Sequence, residues 1–194
     1  MRNPLGVCLA LACLVLGCGK EEAPEDVRRV EAVLRTGAGD NKRAIREFVK
    51  EEGLTGLERL LASDSANVRM LALSGLGYLE GDAKATQLLL KFVHGEDSQD
   101  AYWAIIALGY QGAPEVKEAI QKVLQSQDPH RRAGACIAIK ECGDESLYPL
   151  LDVALRDEDP GVRLTAEKMK LFIAEGQAVT DDRPVEPGNP APDK

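Results

Sequence analysis

Residues 68–77 read Val-Arg-Met-Leu-Ala-Leu-Ser-Gly-Leu-Gly. Reduced to Val-Arg-x-x-Ala-x-x-Gly, this phrase returns in altered form three more times, with its alanine at Ala72, Ala104, Ala135 and Ala166, in steps of 32, 31 and 31. Separate markers run at about the same interval: Asp64, Asp97, Asp128 and Asp159 precede the phrase, and Gly81, Gly112 and Gly143 follow its first three copies. A shared period near thirty residues means stacked supersecondary units, each unable to bury its apolar face alone.

Each unit predicts two helices. Ahead of each phrase, apolar residues fall at helical spacing: Leu57, Leu60 and Leu61; Leu88, Leu89, Phe92 and Val93; Val116, Ile120, Val123 and Leu124; Leu147, Leu150, Leu151 and Leu155. Such one-sided stripes face a core. The second helix opens on an acidic residue able to accept the free amides of the first turn, most clearly at Asp128-Pro129 and Asp159-Pro160. Upstream, Glu25 to Arg35 and Asp40 to Glu52 predict two further helices without the phrase, parted by Thr36-Gly37-Ala38-Gly39. They read as a degenerate unit covering the apolar end of the stack. The expected organisation is a signal segment over 1–17, a tether over 18–25, capping helices over 26–53, the repeat array over 54–175 and a proline-rich tail over 176–194. That tail holds four of the ten prolines and no aromatic residue, a composition expected to stay extended.

Val-Arg-x-x-Ala with a preceding Asp, returning every 31 or 32 residues over about 54–175, resembles HEAT repeats, in particular the short bacterial form also found in phycobilisome lyases. The resemblance implies an all-α chain, a right-handed α-solenoid of about four to five helix hairpins. Three places depart from the pattern: Asp100-Ala101 and Arg131-Arg132 stand where Val-Arg is expected, and Lys168-Met169-Lys170 replaces the glycine end of the fourth copy.

The N-terminus reads as an address. Arg2 is followed by the uncharged run Leu5 to Leu16, too short and wrongly flanked to span a bilayer. Val15-Leu16-Gly17-Cys18 resembles the bacterial lipobox, which implies cleavage before Cys18 and acylation of its thiol and amine. Two or more acyl chains anchor stably where one does not. An ordinary secretory peptide cut nearby is the alternative. Gly19, rather than Asp, after that cysteine leans toward an outer-membrane destination within the envelope, periplasmic or surface-facing.

The chain carries 24 Lys and Arg against 32 Asp and Glu, a formal charge of −8. Loss of Arg2 with the signal makes this 23 − 32 = −9. An acidic surface argues against nucleic acid and anionic lipid as partners. Only Cys136 and Cys142 remain once Cys8, Cys13 and Cys18 are spent. On one helix their six-residue separation rises about 9 Å, beyond bridging distance, so they are expected as small core residues unless the helix ends before Cys142. His94 and His130 lie near helix junctions and are expected at the surface; His94-Gly95-Glu96-Asp97 lacks the four spaced ligands of a structural metal site. No phosphate loop or serine elbow is present, so neither cofactor nor metal is expected.

Two constellations remain. Asp64, Asp97, Asp128 and Asp159 with Arg69, Arg132 and Arg163 form a charged ladder, which in HEAT-like proteins hydrogen-bonds along the stack and serves register. Winding each second helix at about 100° per residue, with its alanine toward the core, turns the positions two before and two after it to the opposite side. These are Met70 and Ser74, Tyr102 and Ile106, Ala133 and Ile137, Leu164 and Lys168. Met, Tyr, two Ile and Leu make an apolar stripe of the kind that marks an interaction surface. Tight curvature could instead bury it as secondary core. Tyr102, with Trp103 beside it and Tyr78 and Tyr110 in neighbouring turns, is the natural anchor. The expected function is therefore a membrane-anchored, non-catalytic scaffold whose concave face holds another envelope protein or peptide. A lyase-like or chaperone-like activity implied by the resemblance, or a structural role in an envelope complex, are the alternatives.

Overall fold

The computed structural model describes residues 25–34 and 38–176, and every regular element among them is helical. α1 (Glu25–Leu34) and α2 (Ala38–Leu61) lead into α3 (Ala66–Leu76), α4 (Ala83–Val93), α5 (Ser98–Gln111), α6 (Val116–Val123), α7 (Pro129–Cys142), α8 (Tyr148–Ala154) and α9 (Pro160–Ala174). A 3-10 turn, Glu145–Leu147, runs into α8. α2 is two helical segments, because Gly53 at φ 58°, ψ −156° adopts a conformation essentially confined to glycine. Its second segment, 54–61, pairs with α3; α4 pairs with α5, α6 with α7 and α8 with α9. The chain is an all-α solenoid of stacked helix hairpins. Ala38 and Gly39, expected between helices, instead begin α2.

The alanines that set the period are fully enclosed: Ala72, Ala104, Ala135 and Ala166 are all 0% exposed. The first helices of the pairs contribute Leu57, Leu60, Leu89, Ile120 and Leu151 to the same continuous core, and the 3-10 turn before α8 adds Leu147. Along the stack, α3, α5, α7 and α9 contact one another extensively, whereas the first helices of successive pairs scarcely meet. Two rows that approach so unequally must curve, with the second-helix row inside. Glycine permits the closest crossing: a Cβ on Gly109 of α5 would stand 2.8 Å from the carbonyl oxygen of Ala138 on α7.

Helix starts follow local chemistry. The side chains of Asp82, Asp97, Asp128 and Asp159 accept first-turn amides of α4, α5, α7 and α9. Asp64 does not cap α3: it lies eight residues before its alanine where the other three lie seven, so Ser65 takes the N-cap position and makes no side-chain cap bond. The second helices α5 and α7 close on Gly112 and Gly143 in the left-handed conformation.

Charged ties join successive units. Arg69 donates from Nε to Asp100 Oδ2 at 2.8 Å and approaches Asp97 at 3.5 Å, both in the next unit. Ser98 Oγ donates to the Asp128 carboxylate, again one unit on. Arg132 forks onto Asp157 with Nε and a terminal nitrogen at 2.8 and 2.7 Å. Asp159 serves its own helix start, and Arg163 donates to the carbonyls of Asp157 and Glu158 within its own unit. The ladder thus includes Asp100 and Asp157, and Asp64 enters it only through its backbone carbonyl, which accepts from Arg69 at 3.2 Å. Gln111 adds a neutral rung, donating to the Leu79 carbonyl and accepting from Thr86, both at 2.8 Å.

The departures at 100–101 and 131 explain each other. Arginine three residues before the motif alanine secures the carbonyls six and five residues upstream: Arg69 holds those of Ser63 and Asp64, Arg163 those of Asp157 and Glu158. Ala101 cannot do this, and Arg131 of the following unit donates instead to the equivalent carbonyls of Gly95 and Glu96, at 2.6 and 2.9 Å. We predict that Arg131→Ala lowers the unfolding free energy by about 1 to 2 kcal/mol. Adding Ala101→Arg should recover much of that loss in urea denaturation; a double variant no more stable than the single one would refute the exchange.

Asp157, paired with Arg132, has its carboxyl held below the usual carboxylate range, chiefly by the guanidinium hydrogen bond. A lowered folded pKa gives stability that is present above the unfolded value and lost as pH falls through the folded one. Asp157→Ala should therefore cost about 3 kcal/mol at neutral pH by stranding Arg132. Asp157→Asn should differ from wild type by its full margin above about pH 4 and converge with it only as pH falls further, through the lowered folded value, measured as unfolding free energy against pH.

Candidate functional site

On the inner row, positions four apart differ by about 40° around a helix, so the positions two before, two after and six after each motif alanine form one stripe. They are Met70, Ser74 and Tyr78; Tyr102, Ile106 and Tyr110; Ala133, Ile137 and Glu141. All but Ala133 line a single, largely apolar cavity of about 390 Å³. Ile45 of α2 and Leu71 contribute to its walls, with Trp103 and Ala107 of α5.

Of the residues expected on the binding stripe, the structure brings together Met70, Ser74, Tyr102, Ile106 and Ile137. Ala133 is half-buried outside the lining, and Leu164 and Lys168 are exposed on α9, beyond the cavity. Ile106 is only 7% exposed, so it is a wall of the core as much as of the cavity. The sequence reading missed Ile45, Leu71, Ala107 and Glu141. Glu141 was within reach: it repeats the six-after position of Tyr78 and Tyr110, one turn further along the stripe. Ile45 was not, because nothing in the period ties α2 to that face.

Two of the lining residues each carry an unmatched polar atom beneath the cavity surface. Trp103 Nε1 and Glu141 Oε2 are buried without a hydrogen-bond partner among the described residues. The Glu141 side chain is 9% exposed, and its other oxygen accepts from Lys140 at 3.1 Å. Tyr102 stacks on His130 with centroids 4.1 Å apart and rings 10° from parallel, and meets the Trp103 ring edge-on at 5.1 Å. Burial pushes the Tyr102 phenol above its ordinary pKa. His130, expected at the surface, is half-buried, because at the start of α7 its ring stacks across the unit boundary onto Tyr102 of α5. At the Tyr78 end, the Arg46 guanidinium lies 5.2 Å from the ring centroid.

Nucleophilic chemistry has poor footing in the described part. Cys136 and Cys142 are free thiols on α7, and burial pushes Cys136 up to about 12 and raises Cys142 as well. A thiol so rarely ionised at neutral pH is a weak nucleophile. Among the described residues no group of three His, Cys, Asp or Glu side chains could hold a metal ion. Cys18, the segments 1–17 and 18–24, and the tail beyond Gly176 lie outside the described residues.

No curated protein matches the chain. The family model of HEAT repeats matches residues 86–169, from within α4 to within α9. The repeating helix pairs over that span, which carry most of the inner row, are similar to HEAT repeats.

Proposed function

We propose that this protein is a lipid-anchored scaffold of the bacterial envelope that holds a segment of another envelope protein in the groove of its inner helix row and catalyses no reaction. The observation that carries the reading is the cavity itself: α3 with the turn after it, α5 and α7 bring Met70, Tyr78, Tyr102, Ile106, Tyr110 and Ile137 onto one concave wall. Ring-rich concave surfaces supply binding energy without reactive groups. The described helices are not long and apolar enough to cross a membrane, so anchoring falls to Cys18 in the lipobox-like stretch Val15-Leu16-Gly17-Cys18.

A photo-crosslinking residue in place of Met70 should give a discrete protein adduct in living cells. The same group in place of Val153, 68% exposed on α8, should give none. Tyr102→Asp should abolish the Met70 adduct while the melting temperature stays within a few degrees of wild type. Equal adducts from both positions, or none from the groove, would remove the reading. Metabolic labelling with an alkynyl palmitate should mark the wild-type chain and not Cys18→Ala, which should leave the membrane fraction; an unlabelled, soluble wild type would defeat the anchor alone.

A further inference from the structure

An apolar track leads out of the groove to the point where the chain leaves α9. Successive second helices lie in equivalent positions. A Cβ on Gly77, just after α3, would stand 3.0 Å from the Ala107 carbonyl oxygen of α5, and one on Gly109 of α5 would stand 2.8 Å from that of Ala138 on α7. The Arg132–Asp157 fork sets the start of α9 beside that of α7. The position six after each motif alanine therefore forms a row across the C-terminal ends of these helices: Tyr78, Tyr110, Glu141 and, on α9, Phe172. Phe172 is 38% exposed, and Leu164, two before its alanine, is 50% exposed. The inner stripe thus continues past the cavity with apolar side chains that the described helices leave uncovered. One turn beyond Phe172, Gly176 at φ 60° adopts the left-handed conformation that turns a chain off the helix axis.

The sequence that follows has prolines at 184, 187 and 190, at intervals of three. A polyproline II helix turns once in three residues and rises about 3.1 Å per residue, so these rings would lie along one edge about 9 Å apart. Packed helices lie about 8 to 10 Å apart, so the two spacings match at one proline per helix row. Aromatic-lined grooves take such segments, whose fixed φ spares much of the ordering entropy. Tyr78, Tyr102, Trp103 and Tyr110 give this groove that lining. The reach is sufficient: α7 is one helix spacing from α9, and the seven residues between Gly176 and Pro184 extend to roughly 23 Å. A segment tethered so closely meets the groove at an effective concentration of about millimolar, which makes even weak docking count.

We propose that the groove is occupied, in the absence of a partner, by this chain's own segment 184–190, laid as a polyproline II helix across α7, α5 and α3 with its linker passing over Phe172. Pro184 lies against Ile137, Pro187 against Trp103 and Tyr110, and Pro190 against Met70 and Tyr78. This rests on the reading of the groove as a surface for protein segments and adds its regulation: a partner must displace the tail.

Trp103 is the only tryptophan in the chain and lines the cavity, so its fluorescence reports on the occupant. The full chain would be compared with a variant carrying Pro184→Ser, Pro187→Ser and Pro190→Ser. Acrylamide should quench Trp103 less in the wild type than in the variant, at every protein concentration. A synthetic peptide of residues 181–193 should shift Trp103 emission saturably in the variant and bind the wild type about tenfold more weakly, because the tethered tail competes. A second peptide with Pro187 and Gly188 exchanged keeps the composition, breaks the interval of three, and should bind the variant about tenfold more weakly than the first. Circular dichroism checks that the variant, altered only beyond α9, keeps its helices. Equal affinity of wild type and variant for the first peptide would remove the tail from the groove while leaving a site for proline-rich segments. Equal binding of the two peptides overturns the seating of one proline per row. Binding of neither overturns the proposal and leaves the partner reading to the Met70 adduct. Protection of Trp103 that disappears on dilution would put the tail in the groove of a second copy, and overturns the proposal as well.

Discussion

The structure depends on how closely the second helices can approach. Where they cross, the side chain is reduced to a methyl group or to nothing: Gly77 stands against Ala107, and Gly109 leaves no room for a Cβ against Ala138. Overpacking a tight crossing costs about 1 to 3 kcal/mol, which keeps these positions small. No such restriction acts on the first helices, whose leucines and isoleucines fill the space behind. Small residues on one row and large ones on the other wedge successive units apart unequally, and curvature follows.

Register along the stack is held by a second set of contacts at the loops. The guanidinium forks of Arg69 and Arg132 reach across to the next unit, and Gln111 and Ser98 add neutral donors. These groups sit where helix ends leave carbonyls unpaired, so each arginine answers a local deficit as well as linking units. Because the deficit recurs once per unit, one unit can lose its arginine if a neighbour supplies another. Ala101 and Arg131 show that exchange, and Asp100 occupies the space a valine would have filled in order to receive Arg69.

The groove is the outcome of both. Curvature gathers three stripes that a straight stack would hold parallel, and register keeps their rows aligned, so that rings from α5 and the turn after α3 meet a carboxylate from α7. Tyr102 and His130 show how little freedom remains: their stacked rings cross a unit boundary, and Gly134 lies so close to the Tyr102 ring that an added Cβ would stand 2.9 Å from it. A preformed wall of this kind loses little entropy when a partner docks.

By itself the sequence determined the repeat. A period of 31 or 32 residues, fixed by alanines that must be buried and aspartates that must start helices, is a local property of the chain and can be read without coordinates. The stripe of residues two from each alanine was legible for the same reason, since helical winding is local too. Tertiary structure alone decided which parts of that stripe share a cavity. Leu164 and Lys168 have the same phase as Tyr102 and Ile106, yet α9 lies beyond the cavity and leaves them exposed, while Ile45 enters from a helix outside the period. The partners of the arginines likewise depend on distances between units: Asp100 departs from the phrase, and it is the residue that Arg69 of the preceding unit binds. Periodicity reports what each helix presents, and only packing decides what that face meets.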